Sequence, residues 1–269
     1  MKQANRRNLL IQALLREQPQ YKGITIPQDE AEQKRLLRSL FNVRRPENIS
    51  DDFLTIQDEY LQEATAAKGI TDLADLSPIS DGIYLWQGDI TTLRCGAIVN
   101  AANSGMTGCY QPCHNCIDNC IHTYAGIQLR LACAEIMAKQ GHEEPAGQAK
   151  ITPAFNLPCR YVIHTVGPIV QGALTKRHCE LLASCYQSCL KLADKNSVDS
   201  IAFCCISTGV FMFPNKKAAE IAVQTVKEYK AETGSSIEVI FNVFKDSDYQ
   251  IYRELPGRSE TVEKCAGGR

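Results

Sequence analysis

The 269-residue chain has no run of about 18 apolar residues, the length a membrane-spanning helix needs, so no membrane partner is expected. It has no basic tract. Lys and Arg number 29 against 30 Asp and Glu, a formal charge of −1, which leaves no electrostatic footprint for nucleic acid. Basic residues near the N-terminus are not followed by a long apolar stretch, so no signal peptide is expected and the chain is read as cytoplasmic. No segment repeats. Neither a Walker loop nor a dinucleotide fingerprint is present, so a nucleotide would have to be held by other loops.

The length is enough for one large domain, or a domain with an extension, that buries a core without disulfide staples. Cysteine is abundant instead, at 13. Cys133, Cys185, Cys204 and Cys205 lie inside apolar patterns and read as small buried hydrophobes in a reducing compartment. Cys109, Cys113 and Cys116 are different, because they crowd into eight residues with His114. Such density suggests metal binding or catalysis before disulfides.

Residues 1–75 read as helical. Leu9, Leu10, Leu14 and Leu15 recur at helical spacing, as do Leu36, Leu37, Leu40 and Phe41, and a third segment runs over 51–68. After a linker near Pro78 the pattern changes. Strands are expected over 83–86, 97–99, 161–166, 201–206 and 237–244. Helices are expected over 118–139, 178–193, 216–230 and 248–253. Strands separated by helices of this length imply a largely parallel α/β sheet covered on both faces. The last residues, 267–269, are expected to fray.

Three loops follow strand ends, where open α/β sheets bind ligands. They are Gly88-Asp89-Ile90-Thr91, the stretch 100–116, and Ser207-Thr208-Gly209-Val210-Phe211. Backbone N–H groups in the third suit a diphosphate. Asp89 offers a carboxylate to an exocyclic amine, or simply shapes a turn. Asn100 and Asn103 can hold sugar hydroxyls, and Phe244 can stack on a base, although an aromatic there is more often core. Cys109, His114 and Cys116 would give zinc three ligands and leave a fourth position open, the catalytic pattern. Cys113 is a possible fourth that would close the site, with Cys120 and His122 as spares, and spacing alone does not separate these. Asp118 is a candidate base or ligand-orienting residue, or an ordinary helix N-cap.

Taken together and in order, three of these stretches with a fourth resemble a macrodomain, the ADP-ribose-binding module, over about residues 80–255. They are Gly88-Asp89-Ile90-Thr91, Ile98-Val99-Asn100-Ala101-Ala102-Asn103, Val162-Ile163-His164-Thr165-Val166-Gly167-Pro168, and Ser207 to Phe211 leading to Pro214. A cysteine-rich loop stands where the usual macrodomain is glycine-rich and cysteine-free. That is similar to the zinc-dependent bacterial subclass, which accompanies sirtuin-type ADP-ribosyltransferases and removes ADP-ribose from a lipoyl-carrier protein.

The resemblance implies a three-layer α-β-α fold with a mixed, largely parallel central sheet. A helical extension would cover 1–75, the macrodomain 76–258 and a tail 259–269. It implies one Zn2+ per chain on Cys109, His114 and Cys116. Asp89 and Ile90 would hold the adenine edge, with Phe244 against its face. Ser207, Thr208, Gly209, Val210 and Phe211 would wrap the diphosphate and the proximal ribose. Asn103 would hydrogen-bond that ribose and, with Asp118, is a candidate catalytic residue. The implied activity is removal of mono-ADP-ribose from acidic side chains of a modified protein. The alternatives are a reader that binds ADP-ribose over a structural zinc site, and a zinc-stabilised interaction domain.

Overall fold

The computed structural model describes residues 1–255. The expected tail at 259–269, and residues 256–258 of the expected macrodomain, lie outside the described residues.

Three helices come first: α1 (Gln3–Glu17), α2 (Glu30–Val43) and α3 (Asp51–Lys68). Side chains begin two of them. Asp29 accepts from the Glu32 N–H at the start of α2, and Ser50 from the Phe53 N–H at the start of α3. Their apolar stripes meet in a cluster of their own, with Leu10, Ile11, Leu14, Leu37, Phe41, Phe53 and Leu61 buried in it. Ile127, from a later helix, joins this cluster. Arg44 fixes α2 to α1 through a two-pronged pair with Glu17, both contacts at 2.8 Å.

The rest is a layered α/β unit. Its strands are β1 (Thr71–Asp72), β2 (Pro78–Ser80), β3 (Ile83–Gln87), β4 (Leu93–Arg94), β5 (Ala97–Ala102), β6 (Ala149–Pro153), β7 (Tyr161–Val166), β8 (Ser200–Phe203) and β9 (Glu238–Val243). Its helices are α4 (Ile117–Ala125), α5 (Ile127–Gln140), α6 (Lys176–Lys195), α7 (Asn215–Thr233) and α8 (Asp246–Glu254). Seven strands form one sheet in the order β2-β3-β9-β8-β5-β7-β6. The inner pairs are parallel, whereas β2 and β6 run antiparallel on the two edges. The sheet is therefore mixed and largely parallel. Ala97, Ile98 and Val99 are fully buried in β5, as a strand covered on both faces must be. Helices α4 and α5 pack on one another and on β5 and β6, and α6, α7 and α8 form a second group.

Two expectations are corrected, and four strands stand beyond those expected. The helix expected over 118–139 is two helices, because Gly126 sits at φ 95°, ψ 171° between them. A side chain there would strike Gln57, Gln128 and Asn156, so only glycine lets the chain turn at this point. The strand expected over 201–206 stops at Phe203, and Cys204 to Ile206 already belong to the loop that leaves the sheet. The edge strands β2 and β6, and the short pair β1 and β4, were not expected.

Candidate active site

The stretch 103–116, between β5 and α4, carries no helix or strand and is held by side chains. Gly108, at φ 84°, lies so close to the His122 ring that a Cβ there would meet it at 2.8 Å. Beyond it the ligand atoms of Cys109, His114 and Cys116 all lie within 4.8 Å of one another. Cys109 Sγ is 3.6 Å from His114 Nδ1. Tetrahedral zinc, with bonds of about 2.3 Å to sulfur and 2.0–2.1 Å to nitrogen, holds such atoms about 3.5–3.8 Å apart. The donor set therefore fits zinc with little closure. Burial and the neighbouring Cys109 thiol hold Cys116 above the ordinary thiol range, against a backbone N–H of Asn119 that lowers it. A divalent cation removes that penalty by pairing with both thiolates.

Cys113 stands apart from this set. Its thiol turns to Ser39 Oγ at 3.2 Å and the Arg35 carbonyl at 3.5 Å. Cys120 Sγ lies 3.7 Å from Arg38 Nη2. His122 belongs to a second, deeper group with Cys133 and His164. His164 is a satisfied core histidine, 3.1 Å from Asn100 Nδ2 and 3.0 Å from Thr152 Oγ1, and burial lowers it to about 3.

Asn100 and Asn103 have different tasks. Asn100 is fully buried and donates to Asp118 Oδ1 at 2.8 Å, so it does not face a ligand. Asn103 is half-buried. It donates to Asp118 Oδ2 and to the Gly108 carbonyl, both at 3.2 Å, and accepts from the Gly105 N–H. Asp118 is only 5% exposed. Burial raises its carboxyl to about 6, although the hydrogen bond from Asn100 and the charge of Arg130 oppose this. The N-cap of α4 is Cys116 rather than Asp118, its sulfur accepting from the Asn119 N–H.

The other two loops follow β3 and β8. Asp89 caps a 3-10 turn, accepting from the Thr91 N–H and hydroxyl, and pairs with Lys68 of α3 at 2.9 Å. Burial would raise its carboxyl, but Thr91 and Lys68 outweigh that and hold it below its ordinary value. The Ile90 side chain is buried, so any ligand contact it makes is through its main chain. Phe244 follows β9 and is 76% exposed, an open face rather than core. In the third loop, Ser207 is buried at φ 66° and Gly167 packs hard against it. Its hydroxyl has no partner among the described residues. The Thr208 hydroxyl donates to the Cys205 carbonyl at 3.0 Å. Among the described residues, the amides of Gly209, Val210 and Phe211 donate to no protein acceptor. Val170 N–H to the Phe211 carbonyl, at 2.9 Å, ties this loop to the Gly167-Pro168 turn.

The sequence reading missed the residues that hold the cysteine loop: Arg38, Ser39 and Asn42 of α2, Asn119, and Arg130 of α5. Their one signal was a polar pair, Arg38 and Asn42, one turn apart beside the apolar stripe of α2.

The macro domain family matches residues 99–222. A Treponema medium protein named protein-ADP-ribose hydrolase is 64% identical over 95% of this chain and 99% of its own length. A Staphylococcus aureus protein of the same name is 51% identical over 93% of this chain and 94% of its own length. The Trypanosoma brucei macrodomain in complex with ADP-ribose superposes with a TM-score of 0.64 at 28% identity, over 82% of this chain and 95% of that one. With relatives this similar over nearly its whole length, the chain belongs to the macrodomain family, among the proteins named protein-ADP-ribose hydrolases.

Proposed function

We propose that the protein is a zinc-dependent protein-ADP-ribose hydrolase acting on mono-ADP-ribose carried by acidic side chains. The hydrolase activity has the support of close relatives bearing that name over almost their full length. The single observation behind the zinc reading is the convergence of Cys109, His114 and Cys116 on one point, in the loop that Asn103 and Asp118 brace.

In this reading the open amides of Gly209 to Phe211 receive the diphosphate, because they are preset donors without competing acceptors. Asp89 takes the adenine amine and Phe244 covers the ring. Asn103 faces the proximal ribose, held in place by Asp118, whose two oxygens are engaged by Asn100 and Asn103. Asp118 is thus a positioning residue rather than a free base. Water adds across the bond between C1 of the ribose and the carboxylate oxygen of the target. The new C1–O bond frees ADP-ribose, and the proton ends in solvent or on the carboxylate released. Zinc, held by Cys109, His114 and Cys116, would supply Lewis acidity at that centre.

The narrower reading is that the target is a lipoyl-carrier protein modified by a sirtuin-type transferase. Its support is the cysteine-rich loop together with the helical extension, which we delimit as 1–75 before a macrodomain over 76–258. A cytoplasmic setting is in keeping with Cys133, Cys185, Cys189 and Cys204, which are buried, unbridged thiols. Among the described residues no helix is long and apolar enough to cross a membrane.

A second reading, a reader with a structural zinc site, is favoured by the burial of Asp118, the carboxylate that holds Asn103. Incubation with a protein ADP-ribosylated on glutamate decides between the two. Release of free ADP-ribose with turnover is expected, and binding without release would establish the reader.

A further inference from the structure

We propose that helix α2 of the N-terminal extension sets the geometry of the metal loop, with Arg38 and Asn42 as positioning residues for Cys109, His114 and Cys116. The inference rests on the zinc reading above and assigns a role to part of the extension.

The two residues are one helical turn apart on one face of α2. Arg38 Nη2 donates to the His114 carbonyl at 2.8 Å and to Asn119 Oδ1 at 3.0 Å. Asn119 carries the contact onward. Its side-chain N–H groups donate to the carbonyls of Gln111 at 3.0 Å and Cys109 at 3.4 Å, and its backbone N–H donates to Cys116 Sγ at 3.4 Å. Arg38 is therefore one hydrogen bond from His114, and Asn119 links it to Cys109 and Cys116.

Asn42 grips the loop from the next turn. Its Oδ1 accepts from the Cys113 N–H at 2.8 Å, and its Nδ2 donates to Thr123 Oγ1 of α4 at 2.9 Å. Cys113 stands at φ 54°, a left-handed conformation that is costly for a residue with a Cβ. That bend lies between Cys109 and His114, and Asn42 with Ser39 holds it. The helix is itself clamped by the macrodomain. Arg130 of α5 is buried and donates to the carbonyls of Phe41, Asn42 and Arg44, at 3.3, 2.8 and 2.5 Å. A cation there also complements the negative end of the helix dipole. The same guanidinium lies 4.2 Å over the ring of Tyr110, inside the metal loop.

The loop has no ladder of its own, so a metal binding to it alone would have to order it at an entropic cost. Side chains from α2 and α5 meet that cost during folding. Three ligands then stand ready, and the extension acts on metal retention without touching the nucleotide.

The test uses the full chain with Arg38→Ala, Asn42→Ala, the milder Ser39→Ala and Arg38→Lys, and Lys34→Ala on the exposed face of α2 as control. Zinc release to a chelator, hydrogen exchange of the metal-free loop over 109–116, melting temperature and ADP-ribose affinity are measured for each. Each lost hydrogen bond should speed zinc release by roughly tenfold. Arg38→Ala and Asn42→Ala should therefore lose zinc faster and exchange faster over 109–116, with ADP-ribose affinity held within about threefold. Arg38→Lys should recover only part of the loss, because it keeps the charge but its ammonium does not reproduce the position from which Nη2 makes both contacts. If Asn42→Ala does not fold, Ser39→Ala carries the same comparison, with a smaller shift in the same direction. Folded variants that match wild type in zinc release and loop exchange would overturn the inference and leave the zinc reading standing. A wild-type protein that binds no zinc would overturn that reading, and loop exchange would still decide whether α2 orders the loop.

Discussion

The two loops that leave the ends of β5 and β8 solve opposite problems. The loop over 103–116 is tied down: Asn103, Asn119, Arg38 and Asn42 occupy its carbonyls and amides before any ligand arrives. The loop over 207–213 is held through its carbonyls, with the Phe213 N–H on Ser207 at 3.0 Å, the Met212 N–H on Gly209 at 3.0 Å and the Val170 N–H on Phe211 at 2.9 Å. Its middle amides are left open, and Val210 and Met212 project from it at 70% and 63% exposure. A site for a cation needs donors at fixed separations, so the chain spends side chains on geometry. A site for an anion needs unpaired N–H groups, so it leaves them unpaired. If this contrast is right, the two loops can be broken separately.

The largest effect is expected at the first loop. Cys116→Ala should lose most bound zinc by elemental analysis, because a three-ligand shell cannot spare one thiolate. Hydrolysis should fall by several kcal/mol of transition-state stabilisation, roughly hundredfold or more. ADP-ribose should still bind within about tenfold. Gly167→Ala attacks the second loop. Its Cβ would overlap the Ser207 hydroxyl and approach Ile206 Cγ2 at 2.9 Å, so the loop must shift. Titration calorimetry should show ADP-ribose affinity reduced by roughly tenfold, about 1.4 kcal/mol, with zinc content unchanged.

Asp89→Ala is milder because the carboxylate is partly exposed and shared with Lys68 and Thr91. A loss of about 1 kcal/mol, roughly fivefold, is expected in affinity, again with zinc retained. Unchanged affinity in the folded variant would remove Asp89 from the adenine site. Cys113→Ala should keep its zinc content and turnover, with zinc release quickened only as far as in Ser39→Ala, since its thiol faces Ser39 rather than the metal donors. Loss of zinc in that variant would make the site four-coordinate and favour the reader.

Much of this could be read in the chain, for identifiable reasons. The candidate metal donors lie within a span of seven positions, so local spacing exposed them. The helices of the extension showed because each carries a clean apolar stripe. The break at Gly126 did not show, because Ile121, Ala125, Leu129 and Cys133 keep helical spacing across it while the backbone turns. Strand β6 was hidden because it is an edge strand, half-buried along Ala149 to Ile151, without a continuous apolar run. The grips of α2 on the loop join residues 71 to 81 positions apart, such as Asn42 with Cys113 and Arg38 with Asn119, and single-chain patterns carry no trace of such pairs. Asp118 looked like a cap or a base from its place near a helix start. Only its two asparagine partners show it as the residue that fixes Asn103.

The most direct test removes the metal from the wild-type chain and then returns it. Chelated protein should lose hydrolysis of glutamate-linked ADP-ribose, keep ADP-ribose affinity within about tenfold, and regain turnover with one equivalent of zinc. Hydrolysis at the wild-type rate after chelation, with zinc shown to be gone, would contradict it.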